Sequence, residues 1–101
     1  MATLSTHVLD TAAGRPAQGI AVRLETRAGD PLDAGVTDAD GRIAALGGEL
    51  AAGEYVLRFD TGSYVEGFFP EVVIVFTVAD DRHHHVPLLL SPFGYSTYRG
   101  S

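Results

Sequence analysis

The chain has 101 residues, a net charge of −6 and no cysteine, and all seven of its basic residues are arginine. This composition excludes disulfides, thiolate chemistry and Schiff-base chemistry on lysine, and it argues against nucleic acid as a partner, which needs clustered basic residues. The length fits one domain over residues 1–101. With no apolar run near the roughly 20 residues of a membrane span and no signal-peptide pattern, we expect a cytoplasmic protein without a membrane partner.

Alternating apolar and polar residues predict strands in the first half of the chain. Residues 3–10 place His7 on the outer face, away from Leu4 and Val8. A tight-turn signal at residues 38–41 stands directly before Arg42. The strands predicted here are residues 3–10, 20–26, a short edge strand at 34–37 and a short stretch at 43–46, with loops or turns at 11–16 and 27–33.

The second half adds strands and one candidate helix. A strand is predicted at residues 54–60, and the β-branched run at 72–78 predicts a strand buried on both faces. Residues 61–69 favour a short helix, because Thr61 or Ser63 can cap it and Pro70 ends it. The last twenty residues predict a hairpin, with strands at 83–90 and from Tyr95 onward.

These elements together predict an all-β fold. Seven or eight short strands follow one another at intervals of about ten residues, which is typical of an antiparallel β-sandwich with Greek-key-like connections. Successive side chains of a strand point to opposite faces. In the hairpin, His84, Val86 and Leu88 therefore belong to the core face, whereas His83 and His85 belong to the outer face.

The outer faces of the first and last strands carry the residues with chemical potential. Terminal strands of a sandwich are often neighbours, so His7 can join His83 and His85 in a cluster of imidazoles. Arg42 is a suitable partner for an anion or a polarised carbonyl. The C-terminal segment adds the hydroxyl of Tyr98, the guanidinium of Arg99 and the carboxylate of Ser101, where the sequence ends.

Three interpretations of this cluster stay open on the residues alone. Histidines can act as general acid and base near neutral pH, they can bind zinc as a set of His7, His83 and His85, or they can be plain surface residues. Pro87 and Leu89 lie on the same outer face, and this mixture of apolar and polar residues indicates a surface covered by a second subunit.

Several stretches resemble 5-hydroxyisourate hydrolases, the enzyme branch of the transthyretin-like family. They are STHVLDTAAGRPA near the start, DGR in the middle, YVEGFFPEV between two strands and HVPLLLSPFGYSTYRGS at the end. The resemblance implies an eight-stranded, two-sheet antiparallel sandwich with one short helix. It also implies a homotetramer with a central channel, and a hydrolase that opens the cyclic amide of 5-hydroxyisourate in urate degradation. We expect no cofactor and no metal.

The resemblance carries site residues onto this chain. His7, Arg42, His85 and the ending Tyr98-Arg99-Gly100-Ser101 occupy active-site positions of the family. We expect His7, Arg42, His85 and Ser101 to be catalytic, and His7, Arg42, Tyr98 and Arg99 to bind the substrate. Which histidine is the base stays open. His84 replaces the aromatic residue of the family's usual His-Tyr-His.

Two rival functions are carried alongside the hydrolase. Transthyretin has the same fold but carries a hormone without catalysis, and it has lysine, glutamate and threonine where this chain has His7, Arg42 and His85. A metal-dependent hydrolase or a structural zinc protein is the second rival. Loss of activity with a chelator, reversed by zinc, would favour this second rival.

Overall fold

Nine β-strands form two sheets that pack face to face. The computed structural model describes residues 1–101 and contains no helix. The strands are β1 (Thr3–Asp10), β2 (Arg15–Pro16), β3 (Ala21–Thr26), β4 (Pro31–Val36), β5 (Arg42–Ile43), β6 (Gly53–Phe59), β7 (Val72–Val78), β8 (His83–Ser91) and β9 (Gly94–Thr97). The predicted all-β, two-sheet sandwich is confirmed.

The sheet that carries the histidines has the order β2-β1-β8-β9, and β5 pairs with the same edge of β1 as β2 does. The other sheet has the order β4-β3-β6-β7. One pair departs from the predicted antiparallel arrangement, since β1 and β8 run parallel over their whole length. The first and last long strands are therefore direct neighbours, which is the arrangement expected if His7 clusters with His83 and His85.

Alternating apolar residues from both sheets fill the space between them. Seventeen buried residues form this core, and Val8 and Leu88 from one sheet face Leu24 and Phe59 from the other without measurable exposure. His84 is also buried, at 4% exposure, so the predicted inward face of β8 is confirmed. Its Nδ1 lies 2.7 Å from the carbonyl oxygen of Arg82, while its Nε2 has no hydrogen-bond partner.

The helix predicted at residues 61–69 is wrong. A single turn forms there, in which the amide of Val65 donates to the carbonyl of Thr61, and the segment then folds back on itself. The hydroxyl of Thr61 donates to the carbonyl of Phe69 at 2.7 Å instead of capping a helix. Gly67 also lies so close to Pro92 that an added Cβ would be 2.4 Å from its carbonyl oxygen. These tertiary contacts outweigh the weak local preference for a helix.

Two further predictions need correction. The strand β7 is not buried on both faces, because no layer covers the outer face of its sheet, where Val73 is 40% and Val75 is 48% exposed. The predicted turn at 27–33 is shorter, since β4 already begins at Pro31. The structure has no helix long and apolar enough to cross a membrane.

Candidate active site

The parallel pairing of β1 with β8 brings the first histidine to the last three. Ser5 stands opposite His85, and His7 stands opposite Pro87, two residues further along. Because residues two apart share a face of a strand, His7 and His85 both point outward from the sheet. Their ring centroids are 6.5 Å apart, so a small molecule can contact both imidazoles at once.

Arg42 lies beside the two histidines because the turn before it, residues 38–41, packs against β1. The Asp38 carboxylate accepts hydrogen bonds from the amides of Asp40 and Arg42 at 2.9 and 3.0 Å. Gly41 has φ +72°, and a Cβ there would lie 2.4 Å from the Val8 carbonyl oxygen. Only glycine fits so close a left-handed turn. The turn then pairs Arg42 directly opposite His7.

The C-terminal segment, residues 98–101, lies beside His85 and completes the site that His7, His85 and Arg42 begin. The amide of Gly100 donates to the carbonyl of His85 at 2.8 Å, so this segment continues past β9 along β8. A Cβ on Gly100 would lie 2.5 Å from the imidazole of His85. The absence of a side chain at this position therefore allows the backbone to lie directly against the ring.

These segments enclose an open cavity of about 460 Å³. Polar groups dominate its lining, which consists of Ser5, His7, Arg42, His83, His85, Tyr98, Gly100 and Ser101. The structure thus brings together five of the six predicted site residues: His7, Arg42, His85, Tyr98 and Ser101. Arg99 is the exception, because it lines a neighbouring cavity between the sheets and its guanidinium lies 3.8 Å from Asp80.

Ser5 is a site residue that the sequence prediction missed. Its hydroxyl oxygen lies 2.7 Å from Nε2 of His83 and 2.7 Å from Nδ1 of His85, so that it bridges the two rings. Thr3 continues this row, with its hydroxyl oxygen 2.6 Å from Nδ1 of His83. The alternation of β1 already placed Thr3 and Ser5 on the face of His7, which is the signal that pointed to them.

The surroundings of His85 favour its neutral form. Burial lowers the pKa of the imidazole below its ordinary value, and the positive charge of Arg42 lowers this pKa further, as do His7 and His83. A hydrogen bond with the backbone of Ser5 acts in the opposite direction. Because Nδ1 is engaged by Ser5, the Nε2 atom of His85 remains for a proton transfer in the cavity.

The same geometry gives no support to a zinc site. No group of three histidine, aspartate or glutamate side chains is arranged so that it could hold a metal ion. Both ring nitrogens of His83 lie within hydrogen-bonding distance of hydroxyls, one on Thr3 and one on Ser5. A histidine that binds a metal needs one of these nitrogens free for the ion.

Comparison with known proteins agrees with this arrangement. Residues 4–100 match the model of the HIUase/Transthyretin family. The chain belongs to this family. A 5-hydroxyisourate hydrolase from Mesorhizobium japonicum is 50% identical over 113 residues, which cover 97% of this chain and 91% of that relative.

Solved structures of family members have the same architecture. The 5-hydroxyisourate hydrolase of Klebsiella pneumoniae superposes with a TM-score of 0.90 at 44% identity, covering 98% of this chain and 99% of that one. Sea bream transthyretin in complex with thyroxine superposes with a TM-score of 0.87 at 34% identity, covering 96% and 93%. Since the family includes both hydrolases and transthyretin, the function depends on the site.

Proposed function

We propose that this protein hydrolyses 5-hydroxyisourate, adding water at an amide-type C–N bond and so opening the six-membered ring. The observation that carries the proposal is the meeting of two imidazoles and one guanidinium, from His7, His85 and Arg42, in a single polar cavity. Relatives of about half-identical sequence that bear the name 5-hydroxyisourate hydrolase support the choice of substrate. One hydrolase domain over residues 1–101 is part of the proposal.

His85 is the better candidate for the general base. Its pKa is lowered by burial and by nearby positive charge, so the ring is neutral at neutral pH and its Nε2 can accept a proton from water. A positioned base of this kind contributes roughly 10²–10⁴-fold to a rate. His7, across the cavity, then donates a proton to the ring nitrogen that leaves.

Arg42 stabilises the charge that develops on the substrate. Attack of water on the carbonyl carbon puts negative charge on the carbonyl oxygen, and a fixed guanidinium beside it lowers the energy of that state. Arg42 makes no ion pair with any carboxylate of the chain, so its charge is available for this purpose. Tyr98 and Ser101 line the cavity and orient the substrate.

A homotetramer is the second part of the proposal. Within one chain the cavity is open on one side, and Tyr98 on its wall is 56% exposed. The neighbouring edge strand β7 exposes Val73 and Val75, an apolar surface that favours burial against another subunit. Light scattering coupled to size-exclusion chromatography should give four times the 10.7 kDa mass of one chain.

The rival function is that of a hormone carrier such as transthyretin, to which this chain is also similar. A carrier of an aromatic hormone needs a cavity with mostly apolar walls. The cavity beside Arg42 instead presents three imidazoles, a guanidinium and hydroxyls, with one hydrophobic residue among its eight. Its composition favours a small polar substrate and acid–base chemistry.

The direct test follows the absorbance of 5-hydroxyisourate generated in the cuvette by oxidation of urate. We expect the protein to accelerate the decay, with the same rate in the presence of a chelator. Decay at the spontaneous rate would refute the proposal. Loss of activity with the chelator, reversed by zinc, would favour a metal-dependent hydrolase instead.

A further inference from the structure

The ring of His85 is held at both of its edges. On one edge, Nδ1 lies 2.7 Å from the hydroxyl oxygen of Ser5. On the other edge, the backbone of Gly100 approaches so closely that a Cβ there would lie 2.5 Å from Cδ2 of the imidazole. A ring turned over by half a rotation would place a C–H group against Ser5 and lose the hydrogen bond. The orientation in the structure therefore leaves Nε2 of His85 for the cavity.

Ser5 also bears on which nitrogen of His85 carries the proton. A second ring, that of His83, places its Nε2 2.7 Å from the same hydroxyl oxygen. A serine hydroxyl has a single proton, so between two neutral rings it donates to one and accepts from the other. If Ser5 donates to His83, then Nδ1–H of His85 donates to Ser5 and Nε2 of His85 has no proton. If Ser5 donates to His85, the proton of His85 lies on Nε2 instead.

The positive charge in the cavity favours the first arrangement. Burial disfavours a charged His85, and the guanidinium of Arg42 adds to this effect, so the ring is neutral. In the cavity that it shares with Arg42, a bare Nε2 presents a lone pair, whereas Nε2–H presents the positive end of a dipole. A nearby positive charge attracts the lone pair and repels the N–H group. The row ends consistently, because Nδ1 of His83 lies 2.6 Å from the exposed hydroxyl of Thr3, which can accept a hydrogen bond from it.

Without an acceptor at Nδ1, an imidazole would favour the opposite form. A neutral histidine side chain in water carries its proton mainly on Nε2, and a hydrogen bond made by one ring nitrogen decides which tautomer a protein holds. With its proton on Nε2, His85 would have no lone pair in the cavity and could not take a proton from water. A base at Nε2 therefore needs a group that accepts a hydrogen bond from Nδ1–H, and Ser5 is within reach.

We propose that Ser5 is a positioning residue that fixes the tautomer of His85, with the proton on Nδ1 and the lone pair of Nε2 directed into the cavity. His83 assists, because its Nε2 accepts the hydrogen bond of the Ser5 hydroxyl and leaves the Ser5 oxygen to accept from His85. No proton moves through Ser5, which acts by keeping one hydrogen bond throughout the turnover. The inference rests on the proposed function, which makes His85 the base, but the tautomer belongs to the resting protein and can be measured without substrate.

The first measurement is ¹⁵N NMR of the histidine rings in the absence of substrate, at about pH 8, above the ordinary histidine pKa of about 6.5. Couplings to the ring protons distinguish Nδ1 from Nε2, and the signals of His85 are those missing from His85→Gln. We expect a protonated Nδ1 and an unprotonated Nε2 in the wild type. The proton should shift toward Nε2 in Ser5→Ala and stay on Nδ1 in Ser5→Thr, which keeps the hydroxyl.

The second measurement is the split between kcat and KM. A catalytic histidine held in the wrong tautomer loses about 10⁴-fold in kcat. Ser5→Ala enforces neither tautomer, so its kcat should fall by less, about 10- to 100-fold, while KM changes less than about twofold because Ser5 acts through His85. Ser5→Thr should recover most of the rate. Ser96→Ala, which removes an exposed hydroxyl in β9 of the same sheet, is the control and should behave as the wild type.

A second variant acts on the same hydrogen bond from the other side. His83→Phe keeps a ring but removes the acceptor of the Ser5 hydroxyl, which is then free to donate to Nδ1 of His85. We expect the proton of His85 to shift toward Nε2 and kcat to fall, in the same direction as in Ser5→Ala. Because the side chain of His83 is exposed, this variant should fold as the wild type does. If Ser5→Ala does not fold, His83→Phe decides, and an unchanged tautomer with unchanged kcat would overturn the proposal.

Three other results would also overturn it. One is a resting wild type whose His85 carries its proton on Nε2. Another is a Ser5→Ala variant that keeps wild-type kcat, or that is slowed while His85 still has its proton on Nδ1, since Ser5 would then matter only for structure. The third is a raised KM with unchanged kcat, which would show that Ser5 contacts the substrate directly. A wild-type protein without turnover would refute the proposed function instead, and the NMR result would stand apart from it.

Discussion

The two outer faces of the sandwich differ in whether their arginines have carboxylate partners. On the four-stranded sheet, Arg23 and Arg58 stand directly opposite each other on β3 and β6. Glu25 and Glu71 neutralise them, with Arg58 2.9 Å from Glu25 and 3.0 Å from Glu71. On the other sheet, Arg42 lies beside imidazoles with no carboxylate partner from any side chain.

This difference distinguishes a structural surface from a functional one. Like charges opposite each other in a sheet destabilise it unless they are compensated, and the glutamates provide that compensation around Arg58. The five-stranded sheet leaves Arg42 unpaired and lowers the pKa of His85. Uncompensated charge and a perturbed titratable group in one cavity are typical of a site that acts on a ligand.

The largest effects should follow removal of the imidazoles beside Arg42, on the outer face of the five-stranded sheet (the uncompensated face). His85→Ala and His7→Ala should each lower kcat/KM for 5-hydroxyisourate by roughly 10²–10⁴-fold, because each removes a proton-transfer group. Circular dichroism and the oligomeric mass should match the wild type, since both side chains project from the outer face. Wild-type turnover in either variant would remove that histidine from the mechanism.

A smaller effect should follow from crowding the same face without removing a functional group. Gly100→Val places methyl groups where a Cβ alone would lie 2.5 Å from the His85 ring. A displaced base should lower kcat about 10- to 100-fold, since small misplacements of reacting groups have effects of this order. Gly94→Ala in the same hairpin is the control, because its Cβ would lie 3.7 Å from Ser91, an ordinary contact. Equal rates for both variants would show that the close approach of Gly100 has no part in catalysis.

The pH dependence should show the smallest effect. His85 acts as a base only when it is unprotonated, and its pKa lies below the ordinary value of about 6.5 because of burial and the charges of Arg42, His7 and His83. The kcat/KM should therefore decline on the acid side with its midpoint below pH 6.5. A decline centred above pH 6.5 would contradict the assignment of His85 as the base.

Much of the fold was predictable because alternation along a strand reports burial directly. The inward set of β8, including the unusual His84, was predicted by period alone and is confirmed. Alternation cannot report which strand lies beside another or in which direction. The parallel register of β1 and β8, which sets Ser5 between two histidines, is decided by packing across the whole chain.

The errors have similar physical causes. The segment after Thr61 has capping residues that suit a helix, but the same hydroxyl closes a loop onto Phe69. Val72–Val78 is β-branched throughout, which indicates a strand but not how many of its faces are covered. The binding role of Arg99 is not among these errors and stays a prediction, because Arg99 lines the neighbouring cavity together with Tyr98 and its guanidinium lies 3.8 Å from Asp80.

The contrast between the two arginines gives the most direct test. The measurement is kcat/KM on freshly generated 5-hydroxyisourate for Arg42→Met and Arg58→Met. Arg42→Met should lose roughly 10²–10³-fold, as expected for a lost oxyanion partner, with an unchanged free energy of unfolding. Arg58→Met should turn over as the wild type and unfold at a lower denaturant concentration, because Glu25 is left buried without its partner. Wild-type turnover in Arg42→Met, or an equal loss of turnover in both variants, would contradict the assignment of the uncompensated face as the active site.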